Sequence, residues 1–466
     1  MITLRDYQQD AECDLRNAYA QGFRAPVLTM PTGSGKTVTF SSIAYQAGLK
    51  GNRVLILVHR RELLKQTSRT LANFGIDHGL ISAGLSLFRD KNVQVASVQT
   101  MARRMSRIRW TPDLIIVDEC HHAVGGNTWG KVLAQYPRAR VLGCTATPQR
   151  LDGKGLGVDS GGFFDALITG PSVADLTARG YLSPAVVYAP KANVDLSGVK
   201  TRAGDFAAGQ LAEAMDKPRI TGDAVEHYRR ICPGEPSIAF CASVAHAEHV
   251  AESFRHAGIN AASIDGSQDH ATRAKMIADL GAGQLSVLAS CDLISEGTDI
   301  PVVSGAIMLR PTQSEGLALQ QMGRALRIFP GKKRALILDH VGNVYRHGLP
   351  DDERQWSLAG RKKRAKAEQS DAPPIKQCER CHTVHRPAPK CPACGFVYEI
   401  KPRDIEQVDG SLEQVDRQML QREQRREQGL ALSLEDLINL GRTRGYRNPY
   451  AWARHVIAAR SKRDAA

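Results

Sequence analysis

The chain has 466 residues, a formal net charge of +14, 42% hydrophobic residues and 24% charged residues. A chain of this length exceeds what one hydrophobic core usually supports, so we expect two or three globular domains. The longest apolar runs, such as Val54 to Val58, are only as long as a strand, which excludes a membrane-spanning helix. The charged N-terminus lacks the apolar segment of a signal peptide, and the net positive charge favours a polyanionic partner.

Two stretches of the chain alternate short apolar strands with helical segments. The first runs from Pro26 to Cys144, and the second begins at SIAFC, residues 237–241. Because both sets of strands are continuously apolar, we expect α/β domains with parallel sheets that helices cover on both faces. A glycine-rich stretch, residues 151–162, separates the two. The predicted domains are α/β domain 1 (1–165), α/β domain 2 (166–350), a basic linker (351–374), a cysteine module (375–400) and a helical C-terminal region (401–466).

The segment MPTGSGKT, residues 30–37, lies between the first apolar strand and the helix that follows it. Consecutive backbone N–H groups in such a loop, together with the helix N-terminus, bind phosphate groups. In this pattern Lys36 reaches the β- and γ-phosphates, and the Thr37 hydroxyl binds Mg²⁺. The usual first residue of the pattern is glycine, whereas this chain has Met30 there. The candidate ATP-binding residues of the loop are Pro31, Thr32, Gly33, Ser34, Gly35, Lys36 and Thr37.

Five residues that could bind a metal follow a later apolar strand in LIIVDECHHAV, residues 114–124. A zinc site is one interpretation of DECHH, residues 118–122. However, consecutive residues that leave a strand alternate in direction and do not converge tetrahedrally. The other interpretation pairs the carboxylates with the phosphate-binding loop, so that Asp118 would bind Mg²⁺ and Glu119 would polarise the attacking water. We favour this second interpretation, in which the segment is a Walker B motif.

The order and spacing of four motifs resemble those of a superfamily 2 helicase of the DEAD/DEAH-box type. The motifs are PTGSGKT (31–37), DECHH (118–122), CTATP (144–148) and QQMGRALR (320–327). Over residues 4 to about 349, the chain looks like the restriction-helicase-like (DExHH) branch found in phages and bacteria. The resemblance implies two tandem RecA-like domains and the use of ATP and Mg²⁺. It also implies ATP hydrolysis that drives the unwinding or remodelling of a nucleic acid.

The resemblance further implies roles for residues outside the phosphate-binding loop. Gln8 of LRDYQ matches a residue that reads the adenine edge, and Asp299 of EGTDIP implies a contact near the ribose or Mg²⁺. Thr145 and Thr147, with His121, would couple hydrolysis to domain closure. Two arginines of the second domain would reach the γ-phosphate only when the domains close. The catalytic residues implied in this way are Lys36, Asp118, Glu119, Gln320, Arg324 and Arg327.

In motors of this kind the nucleic-acid strand crosses both domains and is held mainly through its phosphates. We therefore expect binding that is sensitive to salt and largely independent of base sequence. A second interpretation of Arg60 and Arg61 is solvated charge at a helix start, although positive charge there opposes the helix dipole. The candidate nucleic-acid contacts are Arg60, Arg61, Gln99, Thr100, Ser243, Asp265 and Gly266.

Two C-x-x-C pairs lie near the C-terminus, CERC (378–381) and CPAC (391–394). Four thiolates at this spacing can converge on Zn²⁺ in a structural zinc ribbon. Two alternatives are that His382 and His385 replace some of these ligands, or that the cysteines are free thiols. The other six of the ten cysteines are scattered singly, which predicts reduced thiols in a cytoplasmic protein. The candidate zinc ligands are Cys378, Cys381, Cys391 and Cys394.

The leading functional hypothesis is an ATP-dependent DNA helicase or translocase in the cytoplasm of a bacterium or a phage-infected cell, as a monomer or weak oligomer. The alternatives are an RNA helicase and a motor or binding subunit of a restriction or recombination complex. Replication, recombination or restriction proteins are the candidate partners. Two questions stay open at this point: whether the zinc ribbon binds nucleic acid or only stabilises the fold, and whether Tyr446, Tyr450 and Trp452 stack on bases or form a local core.

Overall fold

A computed structural model describes most of the chain. Outside the description lie residues 1, 86–90, 151, 191–198, 203–204, 216–217, 292–299, 301, 361–373, 399–425, 429, 432, 445–447 and 465–466, and the side chains at 202, 218–222 and 458–464. Asp299 and the basic run of the expected linker, residues 361–366, therefore lie outside the described residues. The contacts divide the chain into two compact units, Met1–Tyr398 and Glu399–Ala466.

The first sheet contains seven parallel strands. They are β1 Pro26–Thr29, β2 Val54–Val58, β3 His78–Ile81, β4 Val93–Ser97, β5 Leu114–Asp118, β6 Arg140–Thr145 and β7 Ala166–Thr169, in the spatial order β3-β4-β2-β5-β6-β1-β7. The accompanying helices are α1 Asp6–Ala20, α2 Lys36–Leu49, α3 Arg61–Asn73, α4 Val98–Arg104 and α5 Thr128–Gln135. Strand β2 is buried along its whole length, because helices cover both faces of a parallel sheet.

The last strand of the first sheet lies beyond residue 165, where the sequence places the end of the first domain. Strand β7 pairs in parallel with β1, with Leu167 opposite Val27. A short helix, α6 Val173–Ala178, then leads to the second sheet. The first sheet therefore includes a strand that the sequence pattern assigns to the second domain.

The second sheet contains eight strands, most of them parallel. The strands from this region are β8 Ala185–Tyr188, β9 Thr201–Arg202, β10 Asp205–Phe206, β11 Ser237–Phe240, β12 Ala261–Ile264, β13 Val287–Ser290, β14 Gly305–Met308, β15 Ala335–Asp339, β16 Lys376–Gln377 and β17 Thr383–His385. Their spatial order is β12-β13-β11-β14-β15-β8-β17-β16, while β9 and β10 form a separate antiparallel pair. The helices are α7 Ala208–Met215, α8 Pro218–Ile231, α9 Val244–His256, α10 His270–Gly281, α11 Glu315–Ala325 and α12 Asn343–His347.

The cysteine module, expected as a separate domain, extends the second sheet. Strand β17 pairs antiparallel with β8, with Val384 opposite Val187, and β16 continues this edge. The Gln377 side chain donates a hydrogen bond to the Ala189 carbonyl at 2.7 Å. The module therefore shares a hydrogen-bonded edge with the second α/β domain.

The segment that follows α12, residues 349–360, connects three parts of the first unit, and we call it the crossing segment. Arg354 pairs with Glu315 at the start of α11 at 2.9 Å, and Arg386 of the cysteine module pairs with Asp352 at 2.9 Å. At the far end the Leu358 carbonyl accepts a hydrogen bond from a backbone N–H of the glycine-rich stretch at 3.0 Å. The crossing segment therefore contacts both α/β domains and the cysteine module.

Two glycines explain why the glycine-rich stretch can receive this segment. A Cβ atom at Gly155 would lie 2.2 Å from the Leu358 carbonyl oxygen and 2.6 Å from the Gly360 nitrogen. A Cβ atom at Gly157 would lie 3.2 Å from the same carbonyl oxygen. Backbone therefore packs directly on backbone here, which only glycine permits.

The described residues of the second compact unit include the helices α13 Leu434–Thr443 and α14 Pro449–Asp464. Ser433 caps α13 in the expected capping box with Asp436. Leu437, Ala453 and Val456 form its small core, against which the partly buried Trp452 packs. Tyr450 is exposed, and Tyr446 lies outside the described residues. None of the helices in the described part of the chain is long and apolar enough to cross a bilayer.

Candidate functional site

The phosphate-binding loop lies between β1 and α2 in a conformation that depends on two glycines. Gly33 and Gly35 have φ angles of +87° and +86°, in the left-handed region that disfavours other residues. The Ser34 carbonyl accepts hydrogen bonds from the Tyr7 hydroxyl at 2.7 Å and from Gln8 Nε2 at 3.2 Å. Helix α1 therefore restrains the loop through hydrogen bonds to the loop backbone.

Lys36 is the first residue of α2 and lies against the carboxyl end of the sheet. Its Nζ donates to the Met30 carbonyl at 3.1 Å. Burial lowers the pKa of Lys36, while the nearby charges of Glu119 and Asp118 oppose that shift and Arg324 adds to it. Four charged side chains from three motifs therefore act on one another at this point.

The Walker B carboxylates end β5, next to the phosphate-binding loop. Asp118 and Glu119 are both buried, and the Glu119 backbone has a φ of 50°, which is unusual for a residue with a side chain. Glu119 Oε2 is buried and accepts no hydrogen bond from the described residues. A carboxylate oxygen in this state is suited to bind a water molecule, because an unsatisfied buried acceptor is costly.

Helix α11 of the second domain forms the opposite wall. Arg324 is buried, and Arg327 lies partly buried one turn further on. Gly323 packs so closely on the loop that a Cβ atom there would lie 2.7 Å from the Thr32 Cβ. Gly323 therefore allows α11 to approach the loop and brings the arginines to the cleft.

A cleft of about 790 Å³ lies between the two walls. It brings together most of the predicted nucleotide and catalytic residues, which are Thr32, Gly33, Gly35, Lys36, Thr37, Asp118, Glu119, Arg324 and Arg327. Gln320 is buried within α11, and Pro31 and Ser34 lie on the loop, but none of these three lines the cleft. The donor set fits Mg-ATP, since it combines a lysine and two arginines with two carboxylates and a threonine hydroxyl.

Gln8 lies behind the phosphate-binding loop and does not line the cleft. Its Oε1 accepts from the Arg5 backbone N–H at 3.0 Å while its Nε2 contacts Ser34, so both ends of the amide are engaged. The predicted adenine contact of Gln8 stays a prediction. The side chains of Arg5 and Tyr181 do line the cleft, with the guanidinium 4.7 Å from the ring centroid.

The three predicted coupling residues form a continuous chain of contacts. His121 Nδ1 lies 2.9 Å from Thr145 Oγ1 and 3.5 Å from Glu119 Oε2. Thr145 Oγ1 also accepts from the Thr147 backbone N–H at 3.1 Å. The Thr147 hydroxyl packs against Gly316 in α11, where a Cβ atom would approach it to 2.8 Å. Contacts therefore run from the Walker B carboxylate to the helix that carries Arg324.

Sequence reasoning missed two residues: Arg273, which lines the cleft, and Lys332, which donates to the carbonyl of the cleft residue Arg327. Lys332 Nζ donates to the carbonyls of Val303, at 2.7 Å, and of Arg327, at 2.6 Å, and burial lowers its pKa to about 8. Arg273 of α10 pairs with Glu62 of α3 across the domain boundary at 2.9 Å. Neither residue belongs to a short motif, so only the three-dimensional fold identifies it.

The predicted nucleic-acid contacts lie at the carboxyl edges of both sheets. Arg60 and Gln99 line one cavity of the first domain, Arg61 is exposed at the start of α3 and Thr100 is buried in α4. In the second domain Ser243 caps α9 and accepts from the His246 N–H at 3.0 Å. Asp265 accepts from the Ser267 N–H at 2.6 Å, beside the exposed Gly266. Ser243 and Asp265 therefore also have local structural roles.

The four candidate zinc ligands form a compact cluster, with all sulfur atoms within 4.8 Å of one another. The Sγ atoms of Cys378 and Cys394 are 3.7 Å apart, as are those of Cys381 and Cys391. A tetrahedral Zn²⁺ with Zn–S bonds of about 2.3 Å needs sulfur atoms about 3.8 Å apart, so the cluster fits this metal. The His385 ring instead contacts the Tyr398 hydroxyl at 2.7 Å, outside the cluster.

Comparisons with protein families agree with the geometry. Residues 1–150 match the family described as type III restriction enzyme, res subunit, and residues 223–329 match the helicase conserved C-terminal domain. The two matches contain the phosphate-binding loop and the arginine-bearing helix, respectively. The phosphate-binding loop and Arg324 therefore each fall within a family match.

This chain is also similar to individual helicases and restriction enzymes and to a phage protein. A 51.5 kDa protein of Lactococcus phage (isolate 7-9) is 34% identical over 381 residues, which cover 81% of this chain and 79% of that protein. IRC3 of Saccharomyces cerevisiae, described as an ATP-dependent helicase, is 31% identical over 362 residues, covering 73% of this chain and 51% of that protein. The solved structure of the ATP-dependent Type ISP restriction-modification enzyme LlaBIII bound to DNA shares the fold, with a TM-score of 0.54 and 20% identity over 74% of this chain and 28% of that one. The chain belongs to the superfamily 2 helicases, in their restriction-helicase-like branch, and is an ATP-dependent motor of that family.

Proposed function

We propose that the chain is a DNA helicase or translocase driven by ATP hydrolysis between its two α/β domains. The observation that carries the proposal is the cleft, where Lys36, Asp118 and Glu119 of the first domain face Arg324 and Arg327 of the second. Because the two guanidinium groups lie on the wall opposite the lysine and the carboxylates, hydrolysis there would depend on how closely the domains approach.

Each residue of the first wall would have a separate task. Lys36 would neutralise charge on the β- and γ-phosphates, and Asp118 with the Thr37 hydroxyl would hold Mg²⁺, which neutralises phosphate charge when bound. Glu119 would orient the attacking water, and its buried Oε2, which accepts no hydrogen bond from the described residues, supports this role.

The second wall would act mainly on the transition state. The guanidinium groups of Arg324 and Arg327 would stabilise the negative charge that develops on the transferred phosphoryl group. Through the contact between Thr147 and α11, a change at the Walker B residues would alter the positions of those arginines.

DNA is proposed as the track on two grounds. The net charge of +14 favours a polyanion, and a solved structure of the same fold, LlaBIII, is bound to DNA. The candidate contacts at the sheet edges would meet backbone phosphates, so binding should depend little on base sequence.

Zn²⁺ is the proposed occupant of the cysteine cluster, with a structural role. Four thiolates fill a tetrahedral site and leave no open position for catalysis. The hydrogen bonds between β17 and β8 support a stabilising role, because they connect the cluster to the edge of the second sheet.

The decisive experiment measures the ATPase rate with single-stranded, duplex and branched DNA and with RNA, each at several salt concentrations. We expect stimulation by DNA that falls steeply as salt rises, since phosphate contacts release counterions. Preferential stimulation by RNA would favour an RNA helicase. ATP hydrolysis that no nucleic acid changes would contradict the proposal and favour a subunit that needs a restriction or recombination partner.

A further inference from the structure

Three histidine rings connect the Walker B motif to a second cavity of the first domain. The rings of His121 and His122 have centroids 4.2 Å apart, and those of His122 and His59 are 5.1 Å apart. We call these three residues the histidine stack. At one end His121 contacts Glu119 and Thr145, as described above.

The other end of the stack opens on a cavity of about 410 Å³, separate from the nucleotide cleft. Its polar lining consists of His59, Arg60, Gln99, His122, Asn127 and Thr128, and none of its lining residues carries a carboxylate. Arg60 Nε donates to His59 Nε2 at 3.1 Å, so the one arginine of the lining is bonded to the stack itself. A positive group, amides and a hydroxyl around a cavity without acidic residues suit a phosphodiester.

The backbone that carries His121 and His122 is held by contacts on both sides, so that movement at the ring of His122 reaches that of His121. Residues Cys120–His122 form one turn of 3₁₀ helix, and the His122 carbonyl accepts from Asn127 Nδ2 at 2.8 Å. Behind the turn, Cys120 packs on β6 so tightly that a Cβ atom at Gly143 would lie 2.9 Å from its sulfur. The turn cannot absorb a displacement locally, because close-packed interiors transmit it to their neighbours.

From this geometry we infer that the cavity binds a backbone phosphate of the nucleic-acid track and that the histidine stack conveys its occupancy to Glu119. A phosphate bound to Arg60 would move or fix His59, and the contact would continue through His122 to His121 and the water-orienting carboxylate. His59 and His122 are thus positioning residues for hydrolysis. The inference rests on the proposed function, since it requires an ATPase that nucleic acid stimulates.

The test compares the ratio of nucleic-acid-stimulated to basal ATPase rate in the wild type, His122→Ala and His122→Phe. Coupling between two sites commonly amounts to about 5- to 150-fold, so His122→Ala should lower the ratio by at least about fivefold at saturating single-stranded DNA. Its Kd for DNA, measured by fluorescence anisotropy, should change less than the ratio does. His122→Phe keeps a planar ring in the stack and should recover part of the ratio.

Two further variants complete the design. Arg60→Ala should weaken DNA binding. It should also reduce the slope of log Kd against log salt concentration by the amount that corresponds to about one phosphate contact. His256→Ala, at an exposed position of α9, should leave the ratio unchanged and serves as the matched histidine control.

The outcomes separate the inference from the proposed function. Wild-type protein that no nucleic acid stimulates would contradict both. Stimulated wild-type protein together with an unchanged ratio in His122→Ala would overturn the inference alone. Equal losses of basal and stimulated rates in both His122 variants would show that the stack only fills space, and thermal melting of each variant distinguishes this result from unfolding.

Discussion

The nucleotide cleft and the cysteine cluster are assembled over very different distances along the chain. The cleft draws on residues from Arg5 to Ile328 and on both sheets, whereas the cluster uses one segment between residues 378 and 394. The geometry of the cleft therefore depends on how two domains approach each other, while that of the cluster depends on two local turns and a metal. We expect changes at the cleft to alter the ATPase rate and changes at the cluster to alter stability first.

The largest effect should come from Glu119→Gln. The amide keeps the size of the side chain but cannot orient water as the carboxylate does, so kcat should fall by roughly 10³-fold while ATP binding persists. Steady-state ATPase assays and nucleotide titrations measure the two quantities. Glu213→Gln, at an exposed position of α7, is the matched control. A near-normal rate for Glu119→Gln would contradict the Walker B assignment.

Arg324→Ala tests the second wall and should lower kcat by about 10²-fold, with a much smaller change in KM for ATP. The reason is that the guanidinium stabilises charge that develops only in the transition state. Arg324→Lys should be intermediate, because lysine keeps the charge but not the planar set of donors. Should the variant lose only affinity for ATP, Arg324 would be a ground-state binder.

Gly323→Ala tests whether the domains must approach closely. The added methyl group would meet the Thr32 Cβ at 2.7 Å, so α11 has to move away from the loop. We expect kcat/KM for ATP to fall about tenfold, equivalent to ~1.4 kcal/mol. Gly281→Ala in α10 is a control, since its Cβ would meet nothing within 4 Å. Equal rates in the two variants would argue against close approach.

The double substitution Cys391→Ser and Cys394→Ser should change the basal ATPase rate least, because none of the four cysteines lines the nucleotide cleft. Its zinc content should fall from about one ion per chain to none, and its melting temperature should fall because β17 loses its anchor. Metal analysis, calorimetry and ATPase assays make the comparison. Wild-type protein purified without chelator that holds no zinc would refute the site.

Local sequence patterns predicted much of both regions. The strand before a glycine loop and a lysine, and the apolar strand before two carboxylates, indicated a parallel α/β domain and several of the residues that line the cleft, while the motif resemblance implied the RecA-like fold. The paired cysteines identified the cluster. These predictions succeed because a loop or a knuckle is formed by residues that are close in sequence, so its chemistry appears in a short motif.

Contacts between distant segments were not predictable in the same way. The hydrogen bonds from Tyr7 and Gln8 to the phosphate-binding loop, the backbone conformation of Glu119 and the pairing of β17 with β8 all depend on segments that meet only after folding. Gln8 illustrates the difference, because its motif implies a nucleotide contact while its amide is engaged by the protein. A sequence motif predicts which residue type a function requires, but it does not predict which neighbouring groups of the folded protein form hydrogen bonds with that residue.

The crossing segment has a mechanical consequence for the motor. Arg354 is attached to the second domain through Glu315, and Leu358 is attached to the first domain through the Gly157 N–H. A fully extended chain from residue 354 to residue 358 spans at most about 14 Å. Separation beyond that length would have to break one of the two attachments. The segment is therefore a short tether, and the domains can separate at this edge beyond its contour length only if one of the two attachments is lost.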